Sequence, residues 1–350
     1  MTARPAPLAE LSADERRKEQ HAWYFYDWAN SAYVTTVGTV LFSPYLTSVA
    51  ERAACGRVGT DENPCDTNLH VLGLAISPGS MVFYVVTIST IFSALILPIV
   101  GAAADRTGRY KSILAGFAWS GSALAAAMFF VTGTNWQLGA LLLVGANLCL
   151  GSSLVVYNAI LVQIATPDER DRVSTRGWSL GYLGGGVLLA LNLVLVLGHS
   201  AFGLDKAMAV RVCLFSAAVW WAGFTIIPFR GLRNLPPADV SPGTGGLARS
   251  SFSQLWRTLR EMVGFPVLML FLVASLFIND GVQTVTVASS TYGEKQLGFD
   301  TSVLIATILM VQFVAFGGAL LFGAAAKVFG AKAGIIVALA LWIVIVVIAF

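Results

Sequence analysis

An all-α membrane protein is what this sequence predicts, and three observations predict it. Of the 350 residues, 56% are apolar and only 12% are charged, with a mean hydropathy of +0.74. A soluble domain of this length carries roughly twice that charge, because water wets its whole surface. Second, the apolar residues fall in runs of about twenty, the length that crosses a ~30 Å hydrocarbon core as a helix. Third, the basic residues are sorted between the runs rather than gathered into a groove. With a net charge of only +3, that argues against a nucleic-acid partner.

Nine runs meet the length requirement: about 27–50, 78–104, 112–132, 137–164, 177–198, 208–229, 265–290, 303–326 and 333–350. Lipid offers no partner to exposed backbone groups, so each run must be helical. The residues before the first run are polar and lead into no short apolar core with a cleavage site, so no cleaved signal peptide is expected. Placing the N-terminus in the cytoplasm puts 17 of the 22 basic residues inside and leaves only Arg52, Arg57, Lys206, Arg211 and Lys295 outside. That asymmetry predicts a multi-pass inner-membrane protein with a cytoplasmic N-terminus.

The order of spans and loops divides the chain. Residues 1–26 form a cytoplasmic N-terminal segment, 27–229 a six-helix half, 230–263 a cytoplasmic linker and 264–350 a three-helix part of a second half. The linker is rich in proline and glycine (Pro236, Pro237, Pro242, Gly243, Gly245, Gly246) and carries an amphipathic stretch around Phe252, Leu255, Trp256 and Leu259, expected as a surface helix. The sequence stops at Phe350 inside an apolar run, so about nine of twelve helices are expected here, within a chain longer by ~100 residues.

A short motif occurs twice. Gly101-Ala-Ala-Ala-Asp105-Arg106-Thr107-Gly108-Arg109-Tyr110-Lys111 joins spans two and three, and Gly323-Ala-Ala-Ala-Lys327-Val-Phe-Gly330-Ala331-Lys332 joins spans eight and nine. In both, a charged residue follows the first glycine by four positions and a second glycine follows by three more. Each is expected to be a tight cytoplasmic turn whose first glycine permits close helix contact.

The first copy resembles the signature loop of the major facilitator superfamily, whose members have twelve helices in two six-helix halves around a central cavity. Three further stretches are similar to the branch containing the fungal vacuolar amino-acid effluxer and its bacterial relatives. They are Trp23 to Tyr33, Pro167 to Gly186 (including Gly181, Gly184 and Gly185), and Phe277 to Gly281. The resemblance spans about 20–350. It implies a major-facilitator-type helical bundle that carries a small solute, with amino-acid efflux the branch expectation. A facilitator or exporter of a sugar, metabolite or drug is the alternative, and a receptor or enzyme the remote one. It also implies that Asp105 and Arg106, with Gly101, Gly108 and Arg109 shaping the loop, latch against the other half, although Lys327 replaces the aspartate in the second copy.

Charged residues inside the spans are candidates for function, because each costs at least about 2.5–3.5 kcal/mol at a helix centre. Three qualify. Arg211 lies near an outer end and can reach water. Asp27, among Trp23, Tyr24, Tyr26 and Trp28, is expected at an inner aromatic belt, where it either caps the helix or couples to a cation. Asp280 lies roughly 22 Å along its span, about 7 Å past the midplane. There it binds a substrate amine or a coupling proton, or else is a structural carboxyl between helices. The resemblance adds spans one, four and seven as cavity-lining, and with them Asn30, Tyr33, Tyr157, Asn158, Asn279 and Gln283. Each of these equally well bonds one helix to another.

Gly177, Gly181 and Gly185 recur every four residues and predict a close-packing face. They resemble a glycine-rich antiporter motif of the superfamily, except that Tyr182 stands where the motif has proline. Cys149 and Cys213 lie in apolar runs. Cys55 and Cys65 share an outer loop, where a disulfide is chemically allowed and two unpaired thiols are the alternative. No metal site or cofactor is expected: His21, His70 and His199 lie at or beyond helix ends, and no nucleotide-binding glycine loop occurs. The expected partners are the lipid bilayer, a small-molecule substrate and protons as coupling ion, with the chain monomeric.

Overall fold

The computed structural model describes residues 12–60, 63–71, 73–234, 247–295 and 297–349. Within them the fold is helical throughout apart from one short hairpin. The first helical rod consists of α1 (Ala13–Tyr33), a π-helical segment Val34–Leu41 and α2 (Phe42–Cys55). In the loop that follows, β1 (Leu69–Val71) pairs antiparallel with β2 (Leu74–Ile76). Then come α3 (Met81–Thr107), α4 (Tyr110–Ala127), α5 (Trp136–Ile164), α6 (Pro167–Leu197), α7 (Lys206–Phe224) and α8 (Ile226–Gly231). The remainder is α9 (Leu247–Met262), α10 (Pro266–Lys295), α11 (Thr301–Phe329) and α12 (Ala331–Ala349).

Among the described residues, seven helices are long and apolar enough to cross a membrane, and the chain is a multi-pass membrane protein. The last expected span is an apolar helix too, but its described stretch, Lys332–Ile348, is shorter. The first is helical throughout, yet π turns interrupt its α-helix in the middle. The extra residue per π turn carries a cost, so such segments persist where side chains hold them.

Two helix starts differ from the sequence expectation. Ser12 accepts a hydrogen bond from the Glu15 amide at 3.2 Å while the Glu15 carboxylate accepts from the Ser12 amide at 3.0 Å. That reciprocal cap starts α1 at Ala13, well before the apolar run, because polar residues extend a helix into water as readily as a coil. Pro167 to Arg176, expected as a loop, forms the opening turns of α6, with Thr166 and Glu169 as its capping box and Pro167 at the first helical position.

α6 is the central helix: α1 packs along one side of it and α11 along another. Both copies of the repeated turn have the same shape, since α3 ends on Gly108 at φ +64° and Gly330 follows α11 at φ +82°, each in the left-handed region that glycine favours. They also share one end of the bundle. A Cβ on Gly323 would lie 2.6 Å from Cγ2 of Thr175 near the start of α6, and Lys111 sits 5.9 Å over the Phe229 ring beside Arg233. Arg233 in turn pairs with Glu19 on the first turns of α1 at 3.3 Å. This is the end at which most of the basic residues lie.

At the opposite end Cys55 and Cys65 are joined by a disulfide. The buried Glu51 carboxylate accepts a hydrogen bond from the Gly59 amide at 3.0 Å, and Arg57 binds the Asn63 carbonyl at 2.6 Å. The loop is therefore braced from within as well as closed.

Candidate functional site

Asp27 does not lie at a helix terminus. Because α1 starts at Ala13, the carboxyl sits fourteen residues inside a continuous helix, where every backbone amide is already bonded to the preceding turn. The capping role considered for it is thereby excluded. Nor are its aromatic neighbours an interfacial belt: Trp23 is 1% exposed, Tyr26 is fully buried and Asp27 itself is 8% exposed. The surrounding helices α5 and α6 cover this stretch, so the rings face protein rather than headgroups.

The Tyr157 hydroxyl on α5 donates to Oδ2 of Asp27 at 2.6 Å. Three contacts hold Tyr157 in place. Its ring stacks on Trp23 with centroids 4.0 Å apart and planes 7° from parallel. Trp23 Nε1 donates to the Tyr157 carbonyl at 2.9 Å. Tyr26, tilted 42° against it at 5.2 Å, donates its hydroxyl to Ser153 one turn earlier on α5. Asn30 donates to the Tyr26 carbonyl at 2.6 Å and so occupies its own helix. The result is a carboxyl whose hydrogen-bonding partner cannot rotate away.

α6 closes the other side, and here the glycine spacing acquires a partner. A Cβ on Gly177 would fall 2.8 Å from Asp27 Oδ2, one on Gly181 2.7 Å from Ser31 Oγ, and one on Gly185 2.6 Å from Thr35 Oγ1. Asp27, Ser31 and Thr35 recur every four residues along the first rod, as the glycines do along α6. Two parallel stripes therefore meet, oxygen-bearing side chains on one and bare backbone on the other. The approach leaves room for weak Cα–H···O contacts and for nothing larger. Above this level Asn192 of α6 bonds Thr36 at 3.2 Å and accepts from Ser216 of α7 at 3.0 Å, and Gln312 of α11 donates to Thr35.

The other expected site residues distribute differently. Tyr33 is fully buried, but its hydroxyl bonds Asn147 at 3.0 Å and its ring packs 5.0 Å from Trp221, which joins α1 to α5 and α7 away from the carboxyl. Asn158, one residue beyond Tyr157 and so turned about 100° around α5, is exposed. Asp280, Asn279 and Gln283 are exposed on α10, and among the described residues none has a hydrogen-bonding partner. Binding of a substrate amine or a coupling proton by Asp280 stands as an expectation from the sequence. Distance along a helix sets depth, but the side of the helix and what packs there decide the environment. The Arg211 guanidinium lies 5.4 Å over the Phe129 ring and reaches the Phe129 carbonyl at 3.5 Å.

In the signature turn, Gly101 brings α3 within 3.4 Å of a Val155 methyl on α5, counted from a Cβ at that glycine. Asp105 accepts from the Tyr110 hydroxyl at 2.7 Å and Arg109 donates its amide to Thr107 at 3.3 Å, so the turn is braced by its own side chains. The described residues hold no group of three or more histidine, cysteine and acidic side chains able to bind a metal.

Sequence reading missed Trp23, Tyr26, Ser31, Thr35, Ser153 and Gln312 as members of this region. The four-residue recurrence of Asp27, Ser31 and Thr35 was a usable signal, matching the recurrence of the glycines it opposes.

The family described as Vacuole effluxer Atg22 like matches residues 15–350. The MFS-type transporter YxiO of Bacillus subtilis (strain 168) is 28% identical, over 95% of this chain and 73% of that protein. Autophagy-related protein 22-2 of Neosartorya fischeri is 23% identical, over 86% of this chain and 65% of its own length. A solved structure described as a bacterial homolog to the human lysosomal transporter Spinster, inward-facing and unoccupied, superposes with a TM-score of 0.51 at 16% identity. That likeness covers 92% of this chain and 64% of the other, and it establishes the major-facilitator type of helical bundle as the fold.

Proposed function

Because this chain belongs to the Vacuole effluxer Atg22 like family, we propose that it is a secondary carrier moving small solutes, with amino acids as the substrate class, by alternating access across a cell membrane. The single observation that carries the mechanism is the Asp27 carboxyl, held by Tyr157 at 2.6 Å inside a membrane helix and sealed by Gly177. A carboxyl kept at membrane depth, where an isolated charge is costly, is the ordinary element of a proton relay.

The close approach of Gly177 supports a proton rather than a solute amine as the partner of this residue. No ammonium group fits between Asp27 and α6 while Gly177 stands against it, whereas a proton needs no extra space. Tyr157 bonds one carboxyl oxygen in either charge state, and the stacked Trp23 keeps that bond aligned. The carboxyl therefore takes up or gives up a proton when α1 and α6 separate enough to admit water. Solute binding belongs elsewhere along the same helices, so solute and proton are linked through helix movement rather than through a shared ligand. The distribution of basic residues supports a cytoplasmic N-terminus, and a monomeric carrier is part of the proposal.

The test is flux into proteoliposomes loaded with purified protein under an imposed pH gradient. Radiolabelled amino acids are expected to move with the gradient, and Asp27→Asn to move them without responding to it. A panel of sugars, metabolites and drugs in the same vesicles identifies another substrate class if no amino acid moves. Equal gradient dependence in the parent and Asp27→Asn removes the proton role.

A further inference from the structure

A buried polar contact that the proton reading does not use joins the first rod to α11. Gln312 is 7% exposed and Thr35 4%, and the Gln312 amide nitrogen donates to the Thr35 hydroxyl. Gly185 makes this meeting possible. A Cβ there would lie 2.6 Å from Thr35 Oγ1, 2.8 Å from Gln312 Nε2 and 3.1 Å from the Ser31 carbonyl. Any larger residue at 185 would displace all three. Gly186 beside it leaves room for the Gln312 stem, 3.3 Å from a Cβ at that position.

Three physical facts give the contact consequence. Gln312 is eleven residues into α11, ~16 Å along its axis and close to the midplane, where an amide without a partner finds no water. Thr35 belongs to the π segment, the one part of the first rod whose hydrogen-bond register differs from its neighbours. Gly185 and Gly186 of α6 leave room for α11 at this level, and farther along α11 Gly323 lies against Thr175 of α6. A glycine offers its neighbour no side chain to interlock with, whereas the buried amide ties the two helices at one point.

We infer that Gln312 is a positioning residue whose bond to Thr35 across Gly185 locks α11 in register on α1 and α6, and that this bond must exchange partners each time the carrier changes its access state. The inference rests on the carrier reading for its second clause only. The lock itself is a statement about packing and can be read without any solute.

Cross-linking tests it. In a background with Cys149→Ala and Cys213→Ala, the pair Thr175→Cys and Gly323→Cys is oxidised in native membranes and its yield over time is followed by mass spectrometry. The parent pair is expected to cross-link. Thr35→Val, Gln312→Leu and Gly185→Ala are each expected to slow cross-linking roughly three- to tenfold, the range of one interhelical hydrogen bond in lipid. Thr35→Ser keeps the hydroxyl and is expected to cross-link at the parent rate. The intact Cys55–Cys65 disulfide and a single size-exclusion peak certify folding. Should Gln312→Leu not fold, Thr35→Val decides, since it replaces the hydroxyl by a methyl group of similar size.

Parent-like cross-linking in every variant overturns the lock. Slowed cross-linking with unchanged solute turnover overturns its part in the access change. A parent protein that moves no solute, with the variant series still graded, leaves the lock standing and refutes the carrier reading.

Discussion

The Tyr157 hydroxyl points at Oδ2 of Asp27 from 2.6 Å away, and the face of α6 opposite that pair carries hydrogen where any other residue has carbon. The two side chains are separated by 130 positions in the chain, and stacking against Trp23 makes the alignment rigid. A carboxyl held this way presents one oxygen to its partner and the other to whatever opens beside it.

Tyr157→Phe removes that partner while keeping the ring stacked. A hydrogen bond to an ionised group is worth about 1.5–3 kcal/mol, so the ionised carboxyl loses that much support. Gradient-driven flux is expected to fall by about tenfold or more, with its pH dependence displaced upward because the protonated form is then favoured. Asp280→Asn, by contrast, is expected to leave the pH dependence in place, since Asp280 is exposed on α10. Initial rates measured across a pH series for the three proteins check both statements.

Gly177→Ala places a methyl group 2.8 Å from Asp27 Oδ2, 2.8 Å from Trp23 Cζ3 and 2.9 Å from the Tyr157 hydroxyl. Overpacking of this kind costs about 1–3 kcal/mol, and α6 must shift to accept it. A lower Tm in detergent is expected for Gly177→Ala. Gly116→Ala, where a Cβ meets nothing within 4 Å, is expected to leave Tm unchanged or slightly raised.

The Cys55–Cys65 bond closes a short loop. By the chain-entropy account such a closure stabilises by roughly 2–4 kcal/mol. Alkylation before and after reduction is expected to label two additional cysteines. Cys55→Ser is expected to lower Tm and to expose the loop to protease while leaving α3 to α8 assembled.

Glu19 lies outside the membrane-spanning segments, and burial raises its carboxyl above the ordinary value of 4.5, with Arg233 opposing the shift. The folded protein thus binds this proton more tightly than the unfolded chain. The stability it contributes is full below 4.5 and is lost as pH rises through the raised value. Glu19→Gln is expected to flatten that part of the stability profile, measured as Tm against pH. A profile as steep as that of the parent would assign the slope to another group.

Much of the fold was legible before any coordinates. Runs of apolar residues mark helices in lipid because each helix satisfies its own backbone, a purely local condition. The glycines at 108 and 330 mark turns because a left-handed φ is a local property too. The candidate site was legible only in pieces. Asp27 was identifiable as a charge within a span, Asn30 and Tyr157 as polar residues the resemblance places at a cavity, and Gly177, Gly181 and Gly185 as a close-packing face. That the two sets oppose each other was not, since a stripe on one helix does not name the helix it meets. Tyr157 and Asn158 show the limit most directly: adjacent in the chain and alike in polarity, one is buried against Asp27 and the other exposed.

By itself, then, the sequence determined which segments are helices, where they turn and that the chain passes through a membrane several times, because hydropathy and backbone sterics act over a few residues. Only the tertiary structure decided that Asp27 rather than Asp280 is enclosed, that Cys55 meets Cys65, and that Gln312 reaches Thr35. Those pairings depend on the rotation of each helix about its axis, and that angle is set by the joint packing of several helices.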